Sequence, residues 1–199
     1  MRAGGMTEGF MRVLKYASAL GALGLFLSVG QSQAVTVVLG GGLAQECYAT
    51  AEFGDPFRAF DACTRALSVK ELSVRDRAAT FVNRSVIRLR VRDWSGAIAD
   101  CDQSLARWPD LSEPHVNRGA ALINLDRPQD AMRELDQAIT MGLEKVHLAY
   151  YNRGLAKEKL NDARGAYQDY RKAQELDPTF TLANEQLQRF LVNGMRVRG

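Results

Sequence analysis

Histidine, cysteine and the common catalytic motifs are scarce in this sequence. Its 199 residues include two histidines, His115 and His147, and three cysteines, none of which forms a CxxC pair. A zinc site needs several nitrogen or sulfur ligands at close spacing, and nucleophilic catalysis needs a Cys or Ser beside a base. A P-loop, GxSxG, HExxH and a dinucleotide-binding fingerprint are also missing. We therefore expect neither an enzyme nor a protein with a metal ion or other cofactor.

An excess of one charge is missing as well. The chain has 26 basic and 23 acidic residues, for a net charge of +3. The basic residues form no stripe at helical spacing, which a nucleic-acid-binding surface would require. With 46% apolar and 25% charged residues, the chain has enough apolar side chains to bury a core. The composition predicts one globular domain with no nucleic-acid partner.

No apolar run near the N-terminus is long enough to span a membrane. The run at residues 17–29 has 13 residues and contains two glycines, whereas a spanning helix needs about 20 apolar residues. Two basic residues, Arg12 and Lys15, precede it. This arrangement favours a cleavable signal peptide over a membrane anchor.

The predicted signal peptide covers residues 1–34 and is cut after Ala34. Ser32 and Ala34 supply the small residues that a signal peptidase reads, and translation could start at Met1, Met6 or Met11. The first cysteine lies too far beyond the cut to carry a lipid. We expect a periplasmic or secreted protein with no stable membrane insertion after cleavage.

Three segments of the remaining chain repeat at intervals of 34 and 35 residues. Each contains an Asn-Arg-Gly or Asn-Arg-Ser triplet, at residues 83–85, 117–119 and 152–154, followed twelve residues later by Ala97, Ala131 or Ala166. Pro109 and Pro178 follow two of these alanines after twelve more residues. Such a unit resembles the tetratricopeptide repeat (TPR), which is a pair of antiparallel helices joined by a turn.

The resemblance implies an all-α fold, a right-handed α-solenoid of about four TPR hairpins, of which the first is degenerate, with a C-terminal capping helix. Residues 35–42 read as a flexible arm, with a short edge strand as the alternative. The remaining boundaries are 43–67 for the first repeat, 78–109 for the second, 112–143 for the third, 146–178 for the fourth, 181–192 for the capping helix and 193–199 for a tail.

In the first repeat, Cys47 and Cys63 occupy the two positions that a TPR hairpin brings together. An exported protein meets an oxidising compartment, so the resemblance implies a disulfide between them. Cys101 occupies the position equivalent to Cys63 in the second repeat, but its counterpart there is Ser85. We expect Cys101 to be a buried free thiol.

The arginine of each triplet stands where many TPR repeats have leucine, and an acidic residue follows it sixteen positions later. Those two positions face each other in a TPR hairpin, which predicts structural ion pairs within each repeat. The alternative is a ladder of arginines that binds a phosphorylated or carboxylate ligand. The predicted pairs are Arg84 with Asp100, Arg118 with Glu134, and Arg153 with Asp169.

TPR arrays usually bind their ligands in the concave groove that the first helices of successive hairpins line. The positions here are mostly apolar, and the triplet asparagines are polar side chains able to bind a peptide backbone. The predicted groove consists of Tyr48, Val82, Asn83, Val86, Leu89, Val116, Asn117, Ala120, Ile123, Leu148, Tyr151, Asn152 and Leu155, with Arg90, Asn124, Glu158 and Lys159 at its rim.

An apolar groove with polar groups suits a helix or extended peptide of another protein. The resemblance extends to exported bacterial TPR proteins, which act as adaptors in the cell envelope. We expect a non-catalytic adaptor with a protein partner. The alternative is a self-associating structural module, in which the N-terminal arm or the second copy of a homodimer covers the groove.

Overall fold

Nine α-helices make up the regular structure of the described part of the chain. The computed structural model describes residues 31–36 and 42–192, so most of the predicted signal peptide, part of the arm and the tail lie outside it. No strand occurs within those residues. The helices are α1 (Leu43–Ala51), α2 (Pro56–Ser68), α3 (Val74–Arg90), α4 (Trp94–Leu105), α5 (Glu113–Asn124), α6 (Pro128–Met141), α7 (Val146–Lys159), α8 (Ala163–Leu176) and α9 (Thr181–Val192).

Successive helices pack as hairpins, α1 with α2, α3 with α4, α5 with α6, and α7 with α8, while α9 packs against α8. The short turns make the helices of each pair antiparallel. The first helices of the hairpins also contact one another in series, α1 with α3, α3 with α5, and α5 with α7. These four helices form the inner layer. The all-α solenoid of helical hairpins with a terminal helix is therefore confirmed.

The turn inside a hairpin has the same conformation in three repeats. One residue of each turn is left-handed, with φ of 63° at Arg92, 58° at Asp126 and 62° at Asn161. The next residue donates its N–H to the carbonyl five residues earlier, at 2.8 to 2.9 Å in all three turns. This pattern terminates the first helix with its last carbonyls paired. Three of the four hairpins therefore share one turn geometry.

Helix α3 begins earlier than the sequence predicted. The predicted second repeat starts at residue 78, whereas α3 starts at Val74. Ser73 caps the helix, since its Oγ accepts the N–H of Asp76 at 3.1 Å. The residues left between the first two predicted repeats therefore include an additional helical turn.

The two cysteines of the first hairpin face each other at disulfide distance. The Sγ atoms of Cys47 in α1 and Cys63 in α2 lie 2.08 Å apart, with 4.5 Å between the Cα atoms. Both side chains are buried, in a small cluster with Ala51, Ala59 and Ile87. Cys101 is free and buried, as its sequence position predicted.

Helices α7 and α8 approach most closely where Gly154 faces Tyr170. A Cβ on Gly154 would lie 2.5 Å from Cε1 of Tyr170, which is fully buried beside Tyr151 and Phe190. We expect Gly154→Ala to lower the free energy of unfolding by about 3 kcal/mol, because the ring has no free space to move into. Urea denaturation measures this. Tyr170→Leu should relieve part of the loss in the double variant, and additive losses would show that the two residues do not conflict.

No helix in the described residues combines the length and the apolar composition that a membrane crossing needs.

Candidate functional site

A stretch of the chain's own N-terminal region, residues 31–36, lies against the inner layer. Gln33 donates its backbone N–H to Oδ1 of Asn152 at 2.7 Å and accepts from Nδ2 of Asn152 at 2.6 Å. One carboxamide therefore binds both backbone groups of one residue. Such a contact does not depend on the side chain at that residue.

The same contact recurs one repeat earlier. Val35 donates its N–H to Oδ1 of Asn117 at 2.7 Å, and its carbonyl accepts from Nδ2 of Asn117 at 2.9 Å. That Nδ2 also donates to Oγ of Ser85 at 3.0 Å, which holds the carboxamide in position. We call Asn117 and Asn152 the asparagine clamp.

The geometry explains why alternate residues of the segment are bound. Two residues of extended chain advance about 7 Å, and packed helices lie about 8 to 10 Å apart. Gln33 therefore reaches α7 and Val35 reaches α5. The segment runs in its N- to C-terminal direction from the fourth repeat to the third, which sets the polarity of any strand bound in this way.

Ser32 makes a further polar contact with α5. Its Oγ donates a hydrogen bond to the carbonyl of Ala120 at 3.2 Å. The same Oγ accepts a hydrogen bond from Nδ2 of Asn124 at 2.7 Å. Asn124, expected only at the rim, thus takes part in holding the segment.

Apolar contacts accompany these hydrogen bonds. Val35 is 4% exposed and belongs to the large core cluster that includes Val116 and Leu148. Ala34 packs against a second cluster that contains Leu89 and Ala120. A small side chain followed by a β-branched one therefore fits this part of the groove.

A cavity of about 740 Å³ adjoins the bound segment on the side of the first two repeats. Arg90 donates hydrogen bonds to the carbonyls of Ala51 and Gly54 at 2.9 and 2.8 Å, so its guanidinium is engaged within the fold. The lining comprises residues 31–34 together with Glu52, Phe53, Val86, Leu89, Arg90, Arg92, Trp94 and Asn124.

The structure divides the predicted groove residues into two groups. Tyr151 does not belong to an open groove, because its ring lies 5.7 Å from Tyr170 and 5.1 Å from Phe180, at the junction with the terminal helix. Leu155 is completely buried in the same core cluster. The inner helices carry the others, which are all buried except the half-buried Tyr48: Val82, Asn83, Val86, Leu89, Val116, Asn117, Ala120, Ile123, Leu148 and Asn152.

Two predicted rim residues are engaged in ion pairs. Glu158 lies 3.5 Å from Nη1 of Arg189 in α9, and Lys159 lies 2.9 Å from Asp126. Burial raises the pKa of the Glu158 carboxyl. Both side chains bind within the array, at the fourth-repeat end of the inner layer.

The structure brings each predicted arginine–acid pair together. Arg84 donates two hydrogen bonds to Asp100, at 2.9 and 2.6 Å, and Arg153 donates two to Asp169, at 2.9 and 2.7 Å. Arg118 lies 3.2 Å from Glu134, which is also 2.8 Å from Nδ1 of His115. The guanidinium groups thus bind carboxylates inside the hairpins, which accounts for them without a ladder that binds ligand.

The remaining reactive side chains are isolated within the described residues. Burial raises the pKa of the Cys101 thiol to about 12, so it stays protonated and unreactive. Burial also lowers the pKa of His147, whose nearest acid is Asp177 at 3.6 Å. In the same part of the chain, no three His, Cys, Asp or Glu side chains are grouped so as to hold a metal ion.

The N-terminal segment was expected to be partly signal peptide and partly flexible arm, but it is bound to the inner layer. Val35 was assigned to that arm and Gln33 to the signal peptide, yet both are held by two hydrogen bonds each. The sequence did single out Asn117 and Asn152 as side chains able to bind a backbone. What it missed was the segment they bind, because composition alone made residues 31–36 look like a processing site.

Comparison with known proteins is consistent with the repeat pattern. Residues 147–180 match the sequence profile described as tetratricopeptide repeat. No curated protein matches the chain closely enough to count as a relative.

Several solved structures share the fold at low identity. The Arabidopsis OM64 TPR domain is 22% identical with a TM-score of 0.54, over 59% of this chain and 96% of that one. MamA from Desulfovibrio magneticus RS-1 is 18% identical with a TM-score of 0.58, over 77% and 86%. The first TPR of Spaghetti (RPAP3), solved with the HSP90 peptide SRMEEVD, is 20% identical with a TM-score of 0.55, over 60% and 94%. These likenesses concern the fold.

Proposed function

Because the chain carries a tetratricopeptide repeat and has the fold of a TPR-repeat protein, we propose that it is a non-catalytic adaptor of the bacterial cell envelope. TPR folds mediate protein–protein interaction, and the concave groove here binds an extended segment of another protein. The observation that supports this most directly is the asparagine clamp, in which Asn117 and Asn152 each bind both backbone groups of one residue.

The clamp predicts the kind of ligand. Hydrogen bonds to backbone groups provide affinity for any extended chain, and side-chain pockets provide selectivity. The buried position of Val35 favours an apolar, β-branched residue in the ligand. The RPAP3 domain was solved with an acidic peptide, SRMEEVD. In this chain the apolar Val86 and Leu89 line the cavity beside the bound segment, so a ligand with a less charged sequence is the better fit.

The envelope assignment depends on the N-terminal sequence and on cysteine usage. A basic head, an apolar run and small residues before position 35 favour export to the periplasm or the exterior. The proximity of Cys47 and Cys63 is in keeping with an oxidising compartment, where a disulfide persists.

The proposal predicts that the empty groove binds the sequence of residues 31–36 in trans. The protein for this test begins at Gly42 and so keeps all nine described helices, and the probe is a fluorescein-labelled synthetic peptide of residues 31–36. Asn117→Ala and Asn152→Ala should each weaken binding about tenfold or more, because each removes a pair of backbone hydrogen bonds. Fluorescence anisotropy measures the affinity.

Gln137→Ala is the matched control, since it removes an exposed carboxamide from α6. It should leave the affinity unchanged. Circular dichroism establishes that each variant keeps its helices. Equal binding by all four proteins, or no binding by the unsubstituted one, would contradict the assignment of the clamp.

A self-associating structural module is the second candidate, and the occupation of the groove by residues 31–36 favours it. Sizing with light scattering separates the two. An adaptor should be a monomer that binds the peptide once the segment is removed. A stable dimer without affinity for the peptide would favour the structural module.

A further inference from the structure

The bond that the sequence marks for cleavage, between Ala34 and Val35, lies between the two residues held by the clamp. Gln33 is bound by Asn152 and Val35 by Asn117. A cut at this bond places the two bound residues on different fragments. Gln33, which Asn152 binds, leaves with residues 1–34, whereas Val35 stays with the chain.

We propose that a chain from which residues 1–34 are removed before it folds has the fourth-repeat half of the groove open to a partner, and that a chain which folds uncut keeps it closed. This inference depends on the proposed function, because the partner it admits is the extended segment described above. Hydrolysis adds water across the Ala34–Val35 amide and leaves a carboxylate on Ala34 and an ammonium group on Val35. The new ammonium group retains N–H donors for Oδ1 of Asn117.

The uncut segment competes effectively with a free peptide for the groove because it is covalently tethered to the first helix. Eight residues separate Val35 from Ala44, a buried residue of the first turn of α1, so the segment remains close to its site. A short tether gives an effective concentration on the order of millimolar. A free peptide with the same contacts would have to exceed that concentration to displace it.

The cut leaves an incomplete groove with a defined gap. Asn152 loses both of its backbone contacts to Gln33, and Asn124 loses its contact with Ser32. Asn117 keeps Val35. An incoming strand therefore binds at α7 first, in the place and polarity of residues 31–34.

Folding protects the bond that is to be cut. Val35 is buried, and the N–H and carbonyl groups of Gln33 and Val35 are all hydrogen-bonded. A peptidase needs an extended, accessible strand at the bond. Cleavage must therefore precede the closing of the repeats, as it does when a chain is processed during export.

The test compares two chains that differ only in residues 31–34. One begins at Gln31 and the other at Val35, and both contain all nine helices between Leu43 and Val192. The probe is a fluorescein-labelled peptide of residues 31–34, which does not compete with the chain's own Val35 for Asn117, and fluorescence anisotropy measures its binding. We expect the chain from Val35 to bind it at least tenfold more tightly.

Two substitutions at one position separate the backbone contact from the side chain. In the chain from Gln31, Gln33→Pro removes the N–H that Asn152 accepts and should raise the affinity toward that of the chain from Val35. Gln33→Ala keeps the N–H. The lost carboxamide donates only to the carbonyls of Gln31 and Ser32, so this variant should stay closed.

The outcomes are distinguishable. Equal affinity of the two chains for the peptide would overturn the inference and leave the proposed function standing. If neither chain binds the peptide and the chain from Gly42 also fails, the proposed function itself is wrong. N-terminal sequencing of the exported protein provides a separate check, since a mature start other than Val35 would show that the groove is not left open by a cut after Ala34.

Discussion

Asp100→Ala is expected to lower the free energy of unfolding by about 3 kcal/mol. Asp100 accepts two hydrogen bonds from Arg84, and its Oδ2 lies 2.8 Å from Nε of Arg88, at ion-pair distance although that N–H is not aimed at the oxygen. The Asp100 side chain is 4% exposed, against 15% for Arg84 and 23% for Arg88. Removing the acid leaves two largely buried cations without their shared partner. The expected loss is at the low end of the range for breaking a buried ion pair, because both guanidinium groups are still partly exposed to water.

The control for this substitution is Asp61→Ala, which breaks an exposed pair. Asp61 lies 2.6 Å from Arg65, and the two side chains are 63% and 50% exposed. Its loss should change stability by less than about 1 kcal/mol. Urea denaturation of both variants gives the comparison. Similar losses would show that burial does not determine the value of these pairs.

Replacing Cys47 and Cys63 by alanine is expected to lower the free energy of unfolding by about 3 kcal/mol. The two cysteines are 16 residues apart in sequence, and a loop of that length restricts the unfolded chain by about this amount in the chain-entropy model. The first hairpin should lose most, since its core cluster holds only a few small side chains around the two sulfurs. Hydrogen exchange at α1 and α2 would show where the loss occurs.

Reduction provides the matched comparison for the disulfide. Dithiothreitol should destabilise the unsubstituted protein by nearly the same amount and leave the Cys47→Ala, Cys63→Ala protein unchanged. Thiol titration of the native protein should find no reactive group, because Cys101 is buried and its thiol pKa lies near 12. Because Cys47 and Cys63 are also buried, the disulfide itself is tested by titration of the unreduced protein in denaturant, where three reactive thiols instead of one would contradict it.

The repeat spacing was sufficient to place the pairs that stabilise each hairpin. Arg84 and Asp100, or Cys47 and Cys63, are sixteen residues apart, and that separation brings opposite positions together in any hairpin of this geometry. The contacts are local to one repeat. A pattern that recurs in the sequence therefore predicts them directly.

The sequence pattern was less successful at predicting residues that contact more than one partner. Glu134 was assigned to Arg118 alone, but it also binds His115, and Tyr151 was assigned to the groove although Phe180 covers it. The first case depends on which side chains converge on one carboxylate. The second depends on how the chain after α8 returns across the last hairpin. Neither arrangement is encoded in the repeat period.

The sequence by itself determined the nature of the fold, since the triplets, the small residues and the period specify hairpins whose contacts lie close along the chain. It also determined that asparagines line the inner layer. Only the tertiary structure decided what those asparagines bind, because the contacts to Val35 and Gln33 join residues 82 and 119 positions apart. Backbone hydrogen bonds of this kind leave no signature in the bound segment, since every residue other than proline offers the same N–H and carbonyl groups.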